Sequence, residues 1–178
     1  YKTSPLKEND KLNPTTIYAK CKNYLREISE LYCDKNNIDF CWARIFYTYG
    51  ANENPKRLFP QIINGLRNNQ KVSINHSQLK RDYIFAGDAA KAIALILNSE
   101  FSGIVNICGG KAISLKDFAL TIAKYMNKEK FLELNELDTN EPKIIVGDNS
   151  KLTEEIKFKN FSDINNKEFI EKLIAEYK

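Results

Sequence analysis

The sequence predicts an α/β protein with parallel strand pairing, and three observations support this class. A long stretch, 14–36, carries apolar residues at helical spacing. It is followed by an almost continuous apolar run, 38–46, of the kind that a central parallel strand shows. Beyond that run, short apolar segments alternate with helical patterns to the end of the chain, as they do when helices connect parallel strands.

The individual elements follow from caps and breakers. The first helix is predicted to begin at Asn13 and Pro14, because Asn is a favoured N-cap and Pro suits the first helical position. We expect its apolar stripe to be buried. Asp88 and Ser114 are predicted N-caps of later helices, and a loop is predicted over 51–56, after a break at Tyr49 and Gly50. The other predicted helices cover about 57–69, 88–98, 114–126, a short stretch from 151, and 166–177. The other predicted strands cover 71–75, 82–85, 104–108 and 144–146.

Composition excludes several classes of function. The net charge is only +4, and the lysines are scattered rather than gathered in a patch, so nucleic-acid binding is not expected. No run of about 18 apolar residues is present, so no membrane span is expected. The four cysteines lack CxxC spacing and His76 is the only histidine, so we expect no metal site and reduced thiols in a cytoplasmic protein. The first residue is not Met and no apolar leader follows it, which suggests a processed, trimmed or partial chain.

Tyr18 and Lys22 form a candidate catalytic pair. They are one helical turn apart, so their side chains share a face. An ammonium beside a phenol stabilises the phenolate, which gives a proton donor and acceptor for interconverting an alcohol and a ketone. Chance alone supplies about one such pair in a chain of this composition. The alternative is an exposed helical lysine beside a packed tyrosine.

Six motifs in collinear order resemble the C-terminal half of the extended short-chain dehydrogenase/reductase family, the nucleotide-sugar epimerases and dehydratases. Tyr18 and Lys22 resemble its YxxxK motif, and Tyr47 stands where Asn is commoner in its R-x-x-N-x-Y-G motif. The matching segments are 18–22, 43–50, 54–60, 81–88, 105–110 and 147–152. The resemblance implies the C-terminal half of a Rossmann-type, doubly wound sheet plus a small α+β substrate-binding subdomain. Residues 1–110 would then mostly complete the dinucleotide-binding domain, with a substrate loop inserted at about 51–80, and residues 111–178 would mostly form the subdomain.

The resemblance also implies roles for single residues. Tyr18 would be the acid/base, and Lys22 would stabilise its phenolate and bind the nicotinamide ribose. Arg81 would bind the pyrophosphate of a nucleotide-diphosphate sugar, because its planar fork suits bidentate bonds. The alternative is a surface arginine paired with Asp82 or with a helix end. Lys56 and Arg57 would bind phosphate or the base. Asn106 would hold the nucleotide end or tie down a loop. Tyr47 would contact the cofactor or the sugar, or would be a core aromatic.

The cofactor would be NAD or NADP, although no GxGxxG or GxxGxxG occurs in the sequence. In the family, the glycine-rich loop precedes all six of the segments matched here. Tyr1 resembles the tyrosine of an upstream family motif, which would put the catalytic Ser or Thr just before this chain. Epimerase, 4,6-dehydratase and 4-keto-sugar reductase remain open, with a leaning toward the deoxysugar branch that serves surface polysaccharides.

A different reading is a catalytically inert fragment that binds nucleotide-sugar or serves dimerisation. If the upstream strands are absent, the first helix and strand would have exposed apolar faces and an open sheet edge. We then expect a second copy or a rearranged element to cover them. The helix bearing Tyr18 is the family's usual homodimer surface, which favours a homodimer.

Overall fold

The computed structural model describes residues 4–177, so Tyr1 lies outside the described residues. The five α-helices, numbered α1 to α5 in chain order, are Ile17–Lys35, Leu58–Arg67, Ala86–Leu97, Leu115–Met126 and Lys167–Glu176. A 3₁₀ turn covers Glu129–Phe131 and a π-helical turn covers Lys151–Glu155. The strands, numbered β1 to β9, are Cys41–Ile45, Tyr47–Tyr49, Val72–Ile74, Lys80–Arg81, Tyr83–Phe85, Gly103–Ile107, Ile113–Ser114, Leu132–Leu134 and Ile144–Ile145.

Strand pairing is mostly parallel, which confirms the predicted α/β class. Strand β1 pairs in parallel with β6, β2 with β5, and β3 with β8. Strand β4 lies between β9, its parallel neighbour, and β7, its antiparallel neighbour. The strand predicted over 38–46 is shorter in the structure, where β1 covers Cys41–Ile45, and a second strand, β2, follows after Phe46. The loop predicted over 51–56 is confirmed, because the buried Tyr49 ends β2 and no helix or strand follows until α2 begins at Leu58.

Two buried apolar clusters hold these layers together. The larger one lies among α2, α4 and α5 and includes the fully buried rings of Phe59 and Phe118. The second joins the Ala-rich face of α3 to β6 and to the segment around the π-helical turn, with Val105 and Leu152 at its centre. The division into two domains at about residue 110 stays a prediction.

Helix α1 differs from its prediction in two ways. It begins at Ile17, because the side chain of Thr16 accepts the N–H of Ala19 and caps the helix there rather than at Asn13. The predicted burial of its apolar stripe is also wrong. No residue of α1 is buried, because within residues 4–177 no element covers its outer face. The large apolar side chains left exposed on it are Ile17, Tyr18, Tyr24, Leu25, Ile28, Leu31 and Tyr32.

Of the two other predicted N-caps, Ser114 is confirmed and Asp88 is wrong. Ser114 caps α4 as predicted, with its hydroxyl accepting the N–H of Asp117 at 2.9 Å. Asp88 is not an N-cap, because α3 begins two residues earlier and Phe85 holds the cap position. Asp88 is instead buried in the first turn of α3, where its carboxylate accepts the N–H of Ser162. Among residues 4–177, no helix is both long and apolar enough to cross a membrane.

Candidate functional site

The Tyr18 and Lys22 side chains lie close together near the start of α1, and both are exposed. The helix begins one residue before Tyr18, so the pair occupies its first two turns. The Lys22 ammonium is 5.9 Å from the centroid of the Tyr18 ring, which is within cation–π range. Tyr18 is 73% exposed. A phenol and an ammonium are therefore presented side by side to whatever binds there.

A cavity of about 350 Å³ adjoins Lys22 on the side of α1 that faces β1. Two more cations, Arg26 and Arg44, and the ring of Trp42 also line it. The pKa of Arg44 is lowered, first by burial and then by the charge of Arg26. The Nε atom of Arg26 is buried without a hydrogen-bond partner. The inner side of the helix is thus a cationic recess.

A second cluster forms where β2 and β5 run side by side. The Tyr47 and Tyr83 ring centroids are 5.8 Å apart, and the Arg81 guanidinium is 5.7 Å from the centroid of Tyr47. Tyr83 also stacks on Phe118 at 4.5 Å, which joins the cluster to the larger core. Strand register produces this arrangement, because Tyr47 is directly opposite Tyr83 in the parallel pair.

Arg81 is buried, and its guanidinium donates to three acceptors within the chain. Its Nη1 donates to the carbonyls of Lys80 at 2.9 Å and Pro142 at 3.0 Å, and its Nη2 donates to Glu141 Oε2 at 2.7 Å. The predicted alternative, a surface arginine paired with Asp82, is wrong, because the side chain is only 4% exposed and its ion-pair partner is Glu141. A charged group this deep requires an anion beside it.

Arg57 and Glu53, which precede α2, affect the same cluster through their charges. Arg57 Nε is 3.8 Å from Glu53 Oε2, and the charges of both act on the phenol of Tyr83. The pKa of Tyr83 is raised to about 12, mainly by burial and then by Tyr47. Burial also raises the pKa of Glu53, against the opposing effect of the Gly50 N–H and of Arg57. Lys56 is exposed, and its backbone N–H donates to Asn54 Oδ1 at 2.9 Å.

Asn106 is buried on β6 and its amide holds other parts of the chain. Its Nδ2 donates to the carbonyls of Leu6 at 2.9 Å and Asp148 at 3.2 Å, and its backbone N–H donates to Glu8 Oε1. Of the two roles predicted for Asn106, these contacts belong to the one that ties down a loop.

Asp82, which sequence reasoning passed over, organises this end of the structure. Its carboxylate is completely buried and accepts three backbone N–H groups, from Gly109 at 2.8 Å, Gly110 at 3.0 Å and Gly147 at 3.1 Å. Burial raises its pKa, while these bonds and the thiol of Cys108 oppose the shift. The signal was present in the sequence, because Asp82 adjoins the candidate Arg81, and Gly109, Gly110 and Gly147 all lie within the segments that resemble the family.

The two groups of candidate residues remain separate. Within residues 4–177, no hydrogen bond, ion pair or ring contact joins Tyr18 and Lys22 to the cluster of Tyr47, Arg81 and Tyr83. The chain supplies no glycine-rich turn for the cofactor pyrophosphate. No group of three or more metal-ligating acids, histidines or cysteines occurs in the part of the chain that the structure describes.

Comparison with known proteins identifies relatives of this arrangement. The family model described as "NAD dependent epimerase/dehydratase family" matches residues 1–108. CDP-abequose synthase from Salmonella muenchen is 27% identical over 111 residues, which is 60% of this chain and 38% of that protein. The matched region thus spans well under half the length of this relative.

Solved structures share the fold over almost the whole chain. UDP-glucuronic acid 4-epimerase from Bacillus cereus, in complex with UDP-glucuronic acid and NAD, matches with a TM-score of 0.85 at 19% identity, covering 98% of this chain and 56% of that one. RMD from Pseudomonas aeruginosa, complexed with NADPH, matches with a TM-score of 0.85 at 16% identity, covering 97% and 58%. The mixed α/β architecture is therefore that of the Rossmann-type proteins of this class.

Proposed function

The chain belongs to the NAD dependent epimerase/dehydratase family, and we propose that it is part of an NAD(P)-dependent enzyme that epimerises, dehydrates or reduces a nucleotide-diphosphate sugar. The reaction would proceed by hydride transfer at a sugar carbon, with a tyrosine as the acid/base. Similarity to CDP-abequose synthase supports a place in deoxysugar formation for surface polysaccharides.

The observation that carries the proposal is the exposed pair on α1. Tyr18 and Lys22 lie one turn apart with the ammonium 5.9 Å from the ring centroid, in a chain whose family is defined by nicotinamide-dependent chemistry. The alternative of an exposed lysine beside a packed tyrosine does not fit, because Tyr18 is 73% exposed. Accessibility is what a group that exchanges protons with a substrate needs.

Each residue of the pair has a defined task. Tyr18 gives a proton to, or takes one from, the sugar oxygen, and the phenolate it leaves is stabilised by the ammonium of Lys22. Lys22 also holds the cofactor by a hydrogen bond to its ribose. The nicotinamide supplies the hydride acceptor and donor when it is bound. NAD and NADP both remain candidates, since one structural neighbour carries NAD and another NADPH.

The cluster around Arg81 supplies the substrate end. The guanidinium lies against the Tyr47 ring, and we expect it to donate to the diphosphate of the nucleotide sugar in place of its contact with Glu141. Arg57 and Lys56 at the start of α2 add positive charge beside it for phosphate or base, and Tyr47 contacts the sugar or cofactor. Asn106 supports the nucleotide end indirectly, through the loop it holds.

Assembly and location belong to the same proposal. Residues 1–110 would mostly complete the dinucleotide-binding domain and residues 111–178 would mostly form the substrate subdomain. The exposed apolar stripe of α1 favours a homodimer, because contiguous apolar surface of this kind marks an interface. The four free thiols suit the reducing cytoplasm, where nicotinamide cofactors and nucleotide sugars are available.

Substitution on α1 tests the catalytic assignment. In the enzyme that contains this chain, we expect Tyr18→Phe to lower kcat about 10²- to 10⁴-fold, because the proton donor is lost while its ring remains. Tyr24→Phe is the matched control, since Tyr24 is also exposed on α1, and it should change kcat by less than about twofold. Full activity of the Tyr18→Phe enzyme would refute the assignment.

A second candidate function is an inert fragment that binds nucleotide sugar or mediates dimerisation. The uncovered apolar face of α1 favours it, because contiguous exposed apolar surface marks an interaction site. Calorimetric titration of the isolated chain with NAD(H) and with UDP-glucose separates the two. Binding of UDP-glucose alone supports the fragment, whereas tight binding of NAD(H) eliminates it.

A further inference from the structure

The counter-ion of the buried Arg81 is an exposed side chain, that of Glu141. The guanidinium is 4% exposed, and a charge that deep is strongly unfavourable without an anion. Within residues 4–177, Glu141 is the acidic side chain that forms an ion pair with it, at 2.7 Å. The position that Glu141 occupies on Nη2 is therefore an anion site that is filled from within the chain.

The other contacts of Arg81 are fixed by the backbone. Nη1 donates to the carbonyls of Lys80 and Pro142, and the Tyr47 ring lies 5.7 Å from the guanidinium. Neither carbonyl carries a charge, and both belong to residues at or near strands β4 and β9. The plane of the guanidinium is thus set without Glu141, and the carboxylate provides only the charge at Nη2.

Glu141 is held much more loosely than Arg81. Its side chain is 59% exposed, and it lies in the connection between β8 and β9. Its backbone N–H is tied to Thr139 Oγ1 at 3.2 Å, so the main chain is anchored while the side chain extends from it. Rotation of that side chain into water would free Nη2 without moving the strands.

We propose that Glu141 is an internal substitute for the substrate diphosphate, occupying Nη2 of Arg81 in the free protein and leaving when the diphosphate binds. This inference rests on the proposed function, because it takes Arg81 as the diphosphate contact. The carboxylate keeps the buried guanidinium neutralised and oriented between turnovers. It also sets a threshold for ligands, since a diphosphate carries enough charge to displace a carboxylate and a single weak anion does not.

Calorimetric titration of inorganic pyrophosphate into the chain and its Glu141→Gln variant tests the proposal. The variant removes the competing charge and keeps the shape, so we expect it to bind pyrophosphate about threefold to tenfold more tightly than the wild type. Asp138→Asn is the matched control, because Asp138 is an exposed acid in the same connection without a contact to Arg81. It should change the affinity by less than about twofold. Arg81→Lys in the Glu141→Gln background should remove the gain.

Thermal unfolding gives a second readout that does not depend on absolute affinity. Without ligand, Glu141→Gln should lower Tm, because Arg81 loses its anion, and pyrophosphate should raise Tm more in this variant than in the wild type. Unchanged or weaker pyrophosphate binding by Glu141→Gln, or no binding at all, overturns the proposal.

Titration with UDP-glucose keeps the two proposals apart. If the wild type binds UDP-glucose through Arg81 but Glu141→Gln gains nothing, the internal anion is refuted while the proposed function stands. If Glu141→Gln gains pyrophosphate affinity but UDP-glucose binds no better than pyrophosphate, the internal anion stands and the proposed substrate class fails.

Discussion

Replacing Asp82 by Asn should destabilise the fold, although the two side chains have nearly the same shape. The carboxylate accepts the N–H of Gly109 at one oxygen and those of Gly110 and Gly147 at the other. An amide has only one acceptor atom, so its NH₂ must face at least one of these donors. In the better orientation the amide oxygen stays with Gly110 and Gly147, and the Gly109 N–H is left unpaired.

The magnitude follows from these contacts. One buried donor left without a partner costs about 1–3 kcal/mol, and the two remaining bonds lose their charge assistance. Removing a completely buried charge offsets part of this loss. We therefore expect the free energy of unfolding to fall by about 2 kcal/mol at pH 7.

Urea unfolding followed by circular dichroism measures the change. Asp138→Asn removes the same charge at an exposed position and should stay within about 0.5 kcal/mol of the wild type. Because burial raises the pKa of Asp82, the folded state holds its proton more tightly than the unfolded state does. The contribution of Asp82 is then fully present below the unfolded pKa and is lost as the pH rises through the folded one, so the cost of the substitution should be greatest in acid. A variant within 0.5 kcal/mol of the wild type would refute the reasoning.

Two further predictions concern a cap and a titration. Ser114→Ala should lower the free energy of unfolding by about 1 kcal/mol, because α4 loses its N-cap bond; Ser150→Ala is the control, since Ser150 makes no side-chain cap bond, and an equal loss in both would contradict this. Because the pKa of Tyr83 is raised to about 12, its folded state holds the proton more tightly, and stability should fall as the pH rises from about 10 toward 12. Tyr83→Phe should flatten that decline in urea unfolding against pH, and an unchanged slope would disprove it.

Features with local causes were predictable from the sequence. Ser114 was recognised as a cap because its hydroxyl reaches an N–H only three residues away. Helix α2 was placed within two residues at each end, with Pro60 in its first turn, where a missing N–H does no harm. Strand β6 was found from its apolar run, because both faces of that strand are covered.

Features with distant causes were not predictable. The apolar spacing of α1 correctly indicated a helix, but whether a stripe is buried depends on an element that packs against it, and none does within residues 4–177. Strand β8 was missed because it has only three residues and exists through pairing with β3, about sixty residues earlier. The sequence could not predict the pairing of Arg81 with Glu141 either, because the two residues are 60 positions apart and their spacing does not indicate contact.

The segment Arg81, Asp82 and Tyr83 shows why a short motif can carry so much of a site. Successive side chains of an extended chain point to opposite sides. Arg81 and Tyr83 both contact or adjoin Tyr47, whereas Asp82 points the other way into the glycine N–H groups. Asp82 is also the residue at which the chain leaves the sheet of β4, β7 and β9 and enters the pair of β2 and β5.

Its carboxylate ties that crossing point to the turn after β6 through Gly109 and to the turn after β9 through Gly147. Asp82 thus helps to orient Arg81 toward the proposed diphosphate, although Asp82 itself points away from that ligand. Moving Asp82 would shift Arg81 and Tyr83 together, because all three share one stretch of backbone. The acid therefore fixes geometry on one side of the strand while the arginine and tyrosine supply chemistry on the other.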